Sequence, residues 1–528
     1  MESRTAVVLD GSSLTVGEIV SIGRGERAVT LDPGAIERCI ASRSFLEEEV
    51  AAGKVIYGVN TSFGPMCNKI ISDEEIEALQ VNLIRSHAAG LGDPLDPAVA
   101  TAVTAVRLNT LVKGYSGVRI ELLEALAEMI NRGIAPYIPE NGSVGASGDL
   151  THLAHLALGV IGEGQLFYKG RLRRAQEVLA EEGLTPVRLA FKEGLAMMNG
   201  TAAATAIAAF AVHDARRLLN LACVTGAFGI EVFAGLDDAF DEDLHRVKPH
   251  RGQQHIADTI RLLCRDSSNV TSREGIHSLI RQEETTGPVY ETSLTVQDVY
   301  SIRCTPQILA PVVEAIDEAT RVLEVEANST NDNPLVFPEQ RKVVHGGNFH
   351  GQSVGFVSDM LAIAVSTLCN LSERRIAKYL DVKLNQGLPE FLIAGTVGLT
   401  MGFMGSQYLA TSTTAENRQL ANPVSTLTIS TNAANQDVVP MSPVAARKAL
   451  RAVENAKHIL TLEVLVAMQA LSFRGIDGLG TGTGQVHAVL DEHFEQYDNN
   501  RVLHDDLVRF RSLLFSSNLL DDLSGYLN

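Results

Sequence analysis

The sequence predicts a mainly α protein: a long-helix bundle (residues 206–528) preceded by a loop-rich N-terminal domain (1–205). Two observations predict it. The late segments PQILAPVVEAIDEATRVLEVEA, GFVSDMLAIAVSTLCNLSERRIAKYL and ARKALRAVENAKHILTLEVLVAMQALSF are long and apolar on several faces. A helix of that kind must be buried on nearly all sides, inside a bundle or an oligomer. Strand signals, by contrast, are few: RTAVVLDG near the start, and LFYKGRL after Gly164, which reads as a hairpin edge.

Taken in order, SGVRIELLEALAEMINRG places Val118, Leu122, Leu126, Met129 and Ile130 at three- and four-residue spacing, with Ser116 available near its start and Gly133 just past its end. The stretch LAMMNGTAAATAIAAFAV (195–212) is alanine-rich and interrupted by Asn199 and Gly200. Alanine contributes little to membrane insertion, so this reads as a buried helix and not a membrane span. No repeat period or low-complexity linker divides the chain.

At 528 residues and 45% hydrophobic, the chain can bury a large core. Its formal charge of -19 argues against sequence-independent nucleic-acid binding, which needs basic surface. The six cysteines show no CxxC spacing, and the N-terminus is polar and acidic where a signal peptide needs an apolar run. Both point to the cytosol.

Polar residues concentrate in loops between apolar helices: YGVNTSFGPMCNK (57–69), NLIRSHAAG (82–90), the GASGD turn, MNGT (198–201), QDVYSIRC (297–304), NSTNDNP (328–334), HGGNFHG (345–351), AENRQLANP (415–423) and TNAANQDVVPM (431–441). Each alone is ordinary turn chemistry. Loops held by rigid elements are also where sites are built. In Gly145-Ala146-Ser147-Gly148-Asp149 the second glycine comes one place too early for the hydrolase elbow G-x-S-x-G. Neither GxxxxGK[ST] nor GxGxxG occurs, which weakens a phosphate-binding reading. Backbone chemistry fits better. The Gly148 nitrogen can attack the Ala146 carbonyl, and loss of two waters, one from Ser147, leaves an exocyclic alkene on a five-membered ring. Alanine is small, serine carries the leaving hydroxyl, and glycine permits the strained backbone.

With these blocks in this order, from about residue 55 to 445, the chain resembles the aromatic amino acid ammonia-lyases and aminomutases, which carry the 4-methylideneimidazole-5-one (MIO) group. Within the family it is most similar to bacterial tyrosine ammonia-lyases. The resemblance implies a fumarase/aspartase-like architecture and an MIO formed autocatalytically from Ala146, Ser147 and Gly148, with no external cofactor. It implies Tyr57 as the base that takes the β-proton, which calls for a lowered phenol pKa. It implies Arg303 as the carboxylate clamp, with Tyr300, Asn199 and Gln297 bonding the MIO and the amine. Asn348, Phe349, Glu416 and Gln436 complete the pocket, with Phe349 stacking on the substrate ring. It also implies a homotetramer whose sites draw on three subunits.

Ser86-His87 occupies the family's ring-selectivity position, where His87 can hydrogen-bond a phenol. Asn435-Gln436-Asp437-Val438-Val439 lacks the histidine typical of histidine lyases. The expected reaction is therefore L-tyrosine to trans-p-coumarate and ammonia. Tyrosine 2,3-aminomutase, giving β-tyrosine through the same residues and a differently behaving lid (58–81), is the first alternative. Histidine ammonia-lyase, giving urocanate, is the second, and an inactive helical scaffold the third. No metal is expected, since His345 with His350 and His152 with His155 lack an evident third ligand. Two departures from the family pattern are Ser62 in TSFG and Pro440 in DVVPM, neither expected to touch the residues that define the reaction.

Overall fold

The computed structural model describes residues 5–281, 288–292 and 294–516. Long helices dominate and strands are short. The three late apolar segments form the helices Thr305–Ala327, Gln352–Leu380 and Ser442–Arg474. The alanine-rich stretch forms Glu193–Met198 and Ala202–Val232, broken at Asn199-Gly200-Thr201. Among the described residues three helical stretches are long and apolar enough to cross a membrane, but the most apolar window of Glu193–Val232 is entirely buried within the protein.

Two compact units share the chain. One comprises Met1–His213, Glu318–Met360 and Pro423–Leu450; the other Asp214–Asp317, Leu361–Asn422 and Arg451–Asn528. The expected N-terminal stretch 1–205 lies wholly in the first unit. The expected bundle 206–528 is divided between both, because four long helices each begin in one unit and end in the other.

In the first unit, Ala6–Leu9 and Ala28–Leu31 form a parallel pair. Thr15 and Glu18 close a capping box on the helix Val16–Gly23. That helix packs closely on Pro97–Val112, whose residues Val99 to Val112 are all buried. Helix Ile120–Asn131 buries Leu122, Leu126, Met129 and Ile130, as its spacing predicts, and Gly133 follows with φ +66°. Ser116 is not its cap. Arg119 precedes the helix, and its N–H donates to the Glu193 carboxylate at 3.0 Å. The LFYKGRL hairpin pairs Gln165–Tyr168 with Arg171–Arg174. Its two turn residues, Lys169 and Gly170, both have positive φ, as a tight hairpin turn requires.

In the second unit, the fully buried Arg375 pairs with Glu463 at 3.1 Å and donates to the carbonyls of Ser301 and Ala222. Burying one charge without the other would cost several kcal/mol, on the order of 3–5. The pair thus fixes the backbone of the short helix Tyr300–Arg303.

Candidate active site

The GASGD turn sits where almost no side chain fits. Gly145 and Gly148 have φ of +78° and +72°. A Cβ on Gly148 would lie 2.3 Å from the Gly200 carbonyl oxygen, and one on Gly145 would lie 2.1 Å from Ser442 Oγ. Only glycine serves at both positions. Isolated bridges close Gly145 and Ala146 onto Gly148. The Asp149 N–H donates to the Gly200 carbonyl at 2.7 Å, seating the start of helix Leu150–Val160 against the Asn199–Gly200 break. Asn199 Nδ2 donates to the Ser147 carbonyl at 2.8 Å and to Ser147 Oγ at 3.2 Å. Among the described residues the buried Ser442 Oγ and Asp149 Oδ1 find no hydrogen-bond partner. A tight, bulk-free turn with a buried amide on its serine fits the cyclised group that the sequence suggests.

Two further loops close on the same turn. The Gly351 N–H donates to the Gly145 carbonyl at 3.0 Å, and the Met441 N–H to Val144 at 2.9 Å. These bring in the loops bearing Asn348, Phe349 and Gln436. Asn348 Nδ2 donates to Thr330 at 3.3 Å, Phe349 is half-buried, and Gln436 Oε1 accepts from Thr431 at 3.0 Å. Pro440 comes nearer the reacting residues than expected: a Cβ on Gly145 would lie 3.2 Å from its ring. Ser62 is buried in its loop, its N–H donating to Lys69.

Tyr57 is half-buried, and its hydroxyl accepts the Gly64 N–H at 3.0 Å. Gly64 lies close to the Asn432 side chain, so the loops of Tyr57 and Gln436 meet. The lowered pKa that a base calls for is not found within this chain. Burial raises the phenol above its ordinary value, and the Gly64 N–H offsets this only in part.

His87 ends the helix Ile76–His87, so the last residues of the expected lid are already helical. Its Nδ1 lies 2.9 Å from the Leu83 carbonyl, which also accepts from Ser86 Oγ. A carbonyl only accepts, so Nδ1 carries the proton in this contact. Nδ1 also lies 3.1 Å from Ser86 Oγ, which can accept from it as well; in the uncharged tautomer that donates to Leu83, Nε2 is an acceptor.

The remaining expected residues belong to the second unit. The Arg303 guanidinium lies 4.5 Å above the Tyr300 ring, and its Nε donates to the Asp298 carbonyl at 2.7 Å. Among the described residues its terminal amines make no hydrogen bond. Gln297, Asp298, Arg303 and Gln307 line a cavity of about 130 Å³. Glu416 is held by Arg451 at 3.1 Å, which keeps its carboxyl below the usual range. Of the histidine pairs, His152 Nε2 lies 3.1 Å from the Glu140 carbonyl and His155 Nε2 accepts the Gly90 N–H. Among the described residues no three potential ligands cluster as a metal site.

Sequence reading missed Arg107, a wholly buried arginine on the apolar helix Pro97–Val112. It donates to the carbonyls of Ala196 and Asn199 and to Asn331 Oδ1. Beside it Lys192 and Asp332 form a buried ion pair. Arg107 thus holds the backbone carbonyl of Asn199, whose side chain bonds the turn. The available signal was the polar block NSTNDNP, which supplies Asn331 and Asp332.

Burial raises the Asp149 carboxyl from 3.8 to about 7, against the Ala204 N–H that it accepts at 2.7 Å. Between those values the folded chain keeps a proton that the unfolded chain has released. Stability from this group is therefore lost as pH rises through the window. Asp149→Asn should raise Tm over the parent increasingly from pH 5 to pH 8, by up to about 4 kcal/mol in stability. Thermal melts across that range check it; a difference independent of pH would contradict it.

Comparison with known proteins matches residues 14–492 to the aromatic amino acid lyase family model. The chain is 41% identical over 517 residues to a histidine ammonia-lyase of Alkaliphilus metalliredigens, and 39% over 515 residues to one of Treponema denticola, with 98% of both chains covered in each case. Among solved structures, tyrosine aminomutase from Streptomyces globisporus is 37% identical with a TM-score of 0.95, covering 99% of each chain. Histidine ammonia-lyase from Trypanosoma cruzi is 37% identical with a TM-score of 0.88, covering 99% of this chain and 96% of that one. The chain belongs to the aromatic amino acid lyase family and is a carbon–nitrogen lyase.

Proposed function

We propose that the chain releases ammonia from an aromatic α-amino acid whose ring carries a hydrogen-bond donor, with L-histidine as substrate and urocanate as product. The supporting observation is the His87 Nδ1 contact with Leu83, which leaves Nε2 as an acceptor for an imidazole N–H. A site built around such a bond rejects rings that cannot make it. The histidine ammonia-lyases among the relatives favour this substrate over the tyrosine expected from the sequence. Tyrosine is the second reading, since a phenol O–H meets the same acceptor. The histidine-free Asn435–Val439 loop and the likeness to tyrosine aminomutase favour it, with either p-coumarate or β-tyrosine as product.

In this proposal Ala146, Ser147 and Gly148 form the MIO, which supplies the electrophile that the side chains lack. Asn199 holds the turn, Tyr57 takes the β-proton, and the terminal amines of Arg303 receive the carboxylate. Tyr300, Gln297, Asn348, Phe349, Glu416 and Gln436 complete the pocket. Tyr300 is 67% exposed in the single chain, which suits a homotetramer with shared sites.

His87→Phe should lower the preference for the ring-donating substrate over L-phenylalanine by about a hundredfold in kcat/KM. Initial rates on the three amino acids check it, and an unchanged ratio would count against His87 as the ring partner.

A further inference from the structure

Helix Leu150–Val160 begins directly after the GASGD turn, and its Thr151 and His152 N–H groups donate to Ser143 Oγ at 3.0 and 3.3 Å. Further along the same helix, about 8 Å from Leu150 at 1.5 Å per residue, His155 reaches the segment that follows His87. Its Nε2 accepts the Gly90 N–H at 3.2 Å. Gly90 lies three residues after His87, and between them the Ala89 N–H closes a tight turn onto the His87 carbonyl at 2.8 Å. The following strand, Leu91–Pro94, pairs with Pro139–Asn141, the segment that runs into Gly142 and the reactive turn. A second tie joins the same parts: Arg85, two residues before His87, donates to Glu163 just beyond the helix.

We infer that His155 is a positioning residue for ring recognition: by accepting the Gly90 N–H, it locks the turn behind His87 to the helix that directly follows the MIO-forming residues. One rigid element then sets the separation between the reacting group and the ring acceptor. The inference rests on the reading of His87 as the ring partner. Burial keeps the His155 ring below its ordinary pKa, so it stays uncharged and Nε2 stays an acceptor. Its edge-on contact with Tyr137 at 6.3 Å holds the ring in place. A histidine that served only packing would not need an acceptor at this point.

The test compares His155→Leu, which removes the acceptor, with His155→Gln, whose amide oxygen can replace it. Each is measured as the full-length enzyme after intact mass has confirmed the loss of two waters. His155→Leu should raise KM for the ring-donating substrate about tenfold and leave kcat within about threefold, because the Asn199–Ser147 seat is untouched. His155→Gln should recover most of that loss. In a His87→Phe background His155→Leu should change the substrate ratio by less than about twofold, since the two act through one contact. A loss confined to kcat, an equal loss in both His155 variants, or an undiminished effect without His87 would overturn the inference. A parent enzyme that prefers phenylalanine would instead contradict the reading of His87. His155 would then be judged by amide exchange at Gly90, which should accelerate in His155→Leu and not in His155→Gln.

Discussion

Ser147→Ala is expected to reduce ammonia release at least about a thousandfold, some 4 kcal/mol of barrier, while the chain remains folded. In the proposed cyclisation the serine hydroxyl is the group whose departure creates the alkene, and alanine has nothing to lose. Its other contact is one hydrogen bond from Asn199 Nδ2, and the backbone carbonyl that Asn199 also holds is unchanged. The glycines that shape the turn are likewise intact. Intact mass should show the parent lighter by two waters than its sequence and the variant not, with Tm within a few degrees. A variant retaining a tenth of the parent's rate would show that the turn works without cyclisation.

Tyr57→Phe carries the second largest effect. General-base catalysis contributes about a hundred- to ten-thousandfold, and the change removes only the hydroxyl. The edge-on packing of the ring on Phe63, 6.4 Å between centroids, remains. The Gly64 N–H loses its acceptor, a modest cost in a half-exposed loop. The fall should therefore appear in kcat, with KM little altered. Because burial raises the phenol's pKa, the parent's rate should climb with pH, and the variant should lose that dependence. Rate profiles from pH 7 to 10 decide it; parallel profiles would remove Tyr57 from the proton transfer.

The long helices were legible because a segment apolar on nearly every face has no stable place except a buried one. Hairpin 165–174 was legible because Lys169-Gly170 is a two-residue turn that local sequence encodes. The cap of helix Ile120–Asn131 was not, since the acceptor is Glu193, 74 residues away, and the buried Ser116 Oγ has no hydrogen-bond partner among the described residues. The same limit hid Arg107. On its own helix it reads as one charge among apolar neighbours, and its purpose emerges only where Asn199 and Asn331 converge on it. Ring preference was harder still. In the proposed reading His87 offers a hydrogen bond to the ring, and its contact with the Leu83 carbonyl, which bears on the direction of that bond, emerges only in the fold. An acceptor there suits imidazole and phenol alike, so the 435–439 loop favours tyrosine while the histidine ammonia-lyases among the relatives favour histidine.

The most direct test of the account is separate incubation of the purified protein with L-histidine, L-tyrosine and L-phenylalanine, with chromatographic identification of the products. The account predicts urocanate from histidine as the fastest reaction, with any tyrosine product slower and phenylalanine turned over least. Cinnamate from phenylalanine as the leading product, or no product from any of the three, would contradict it.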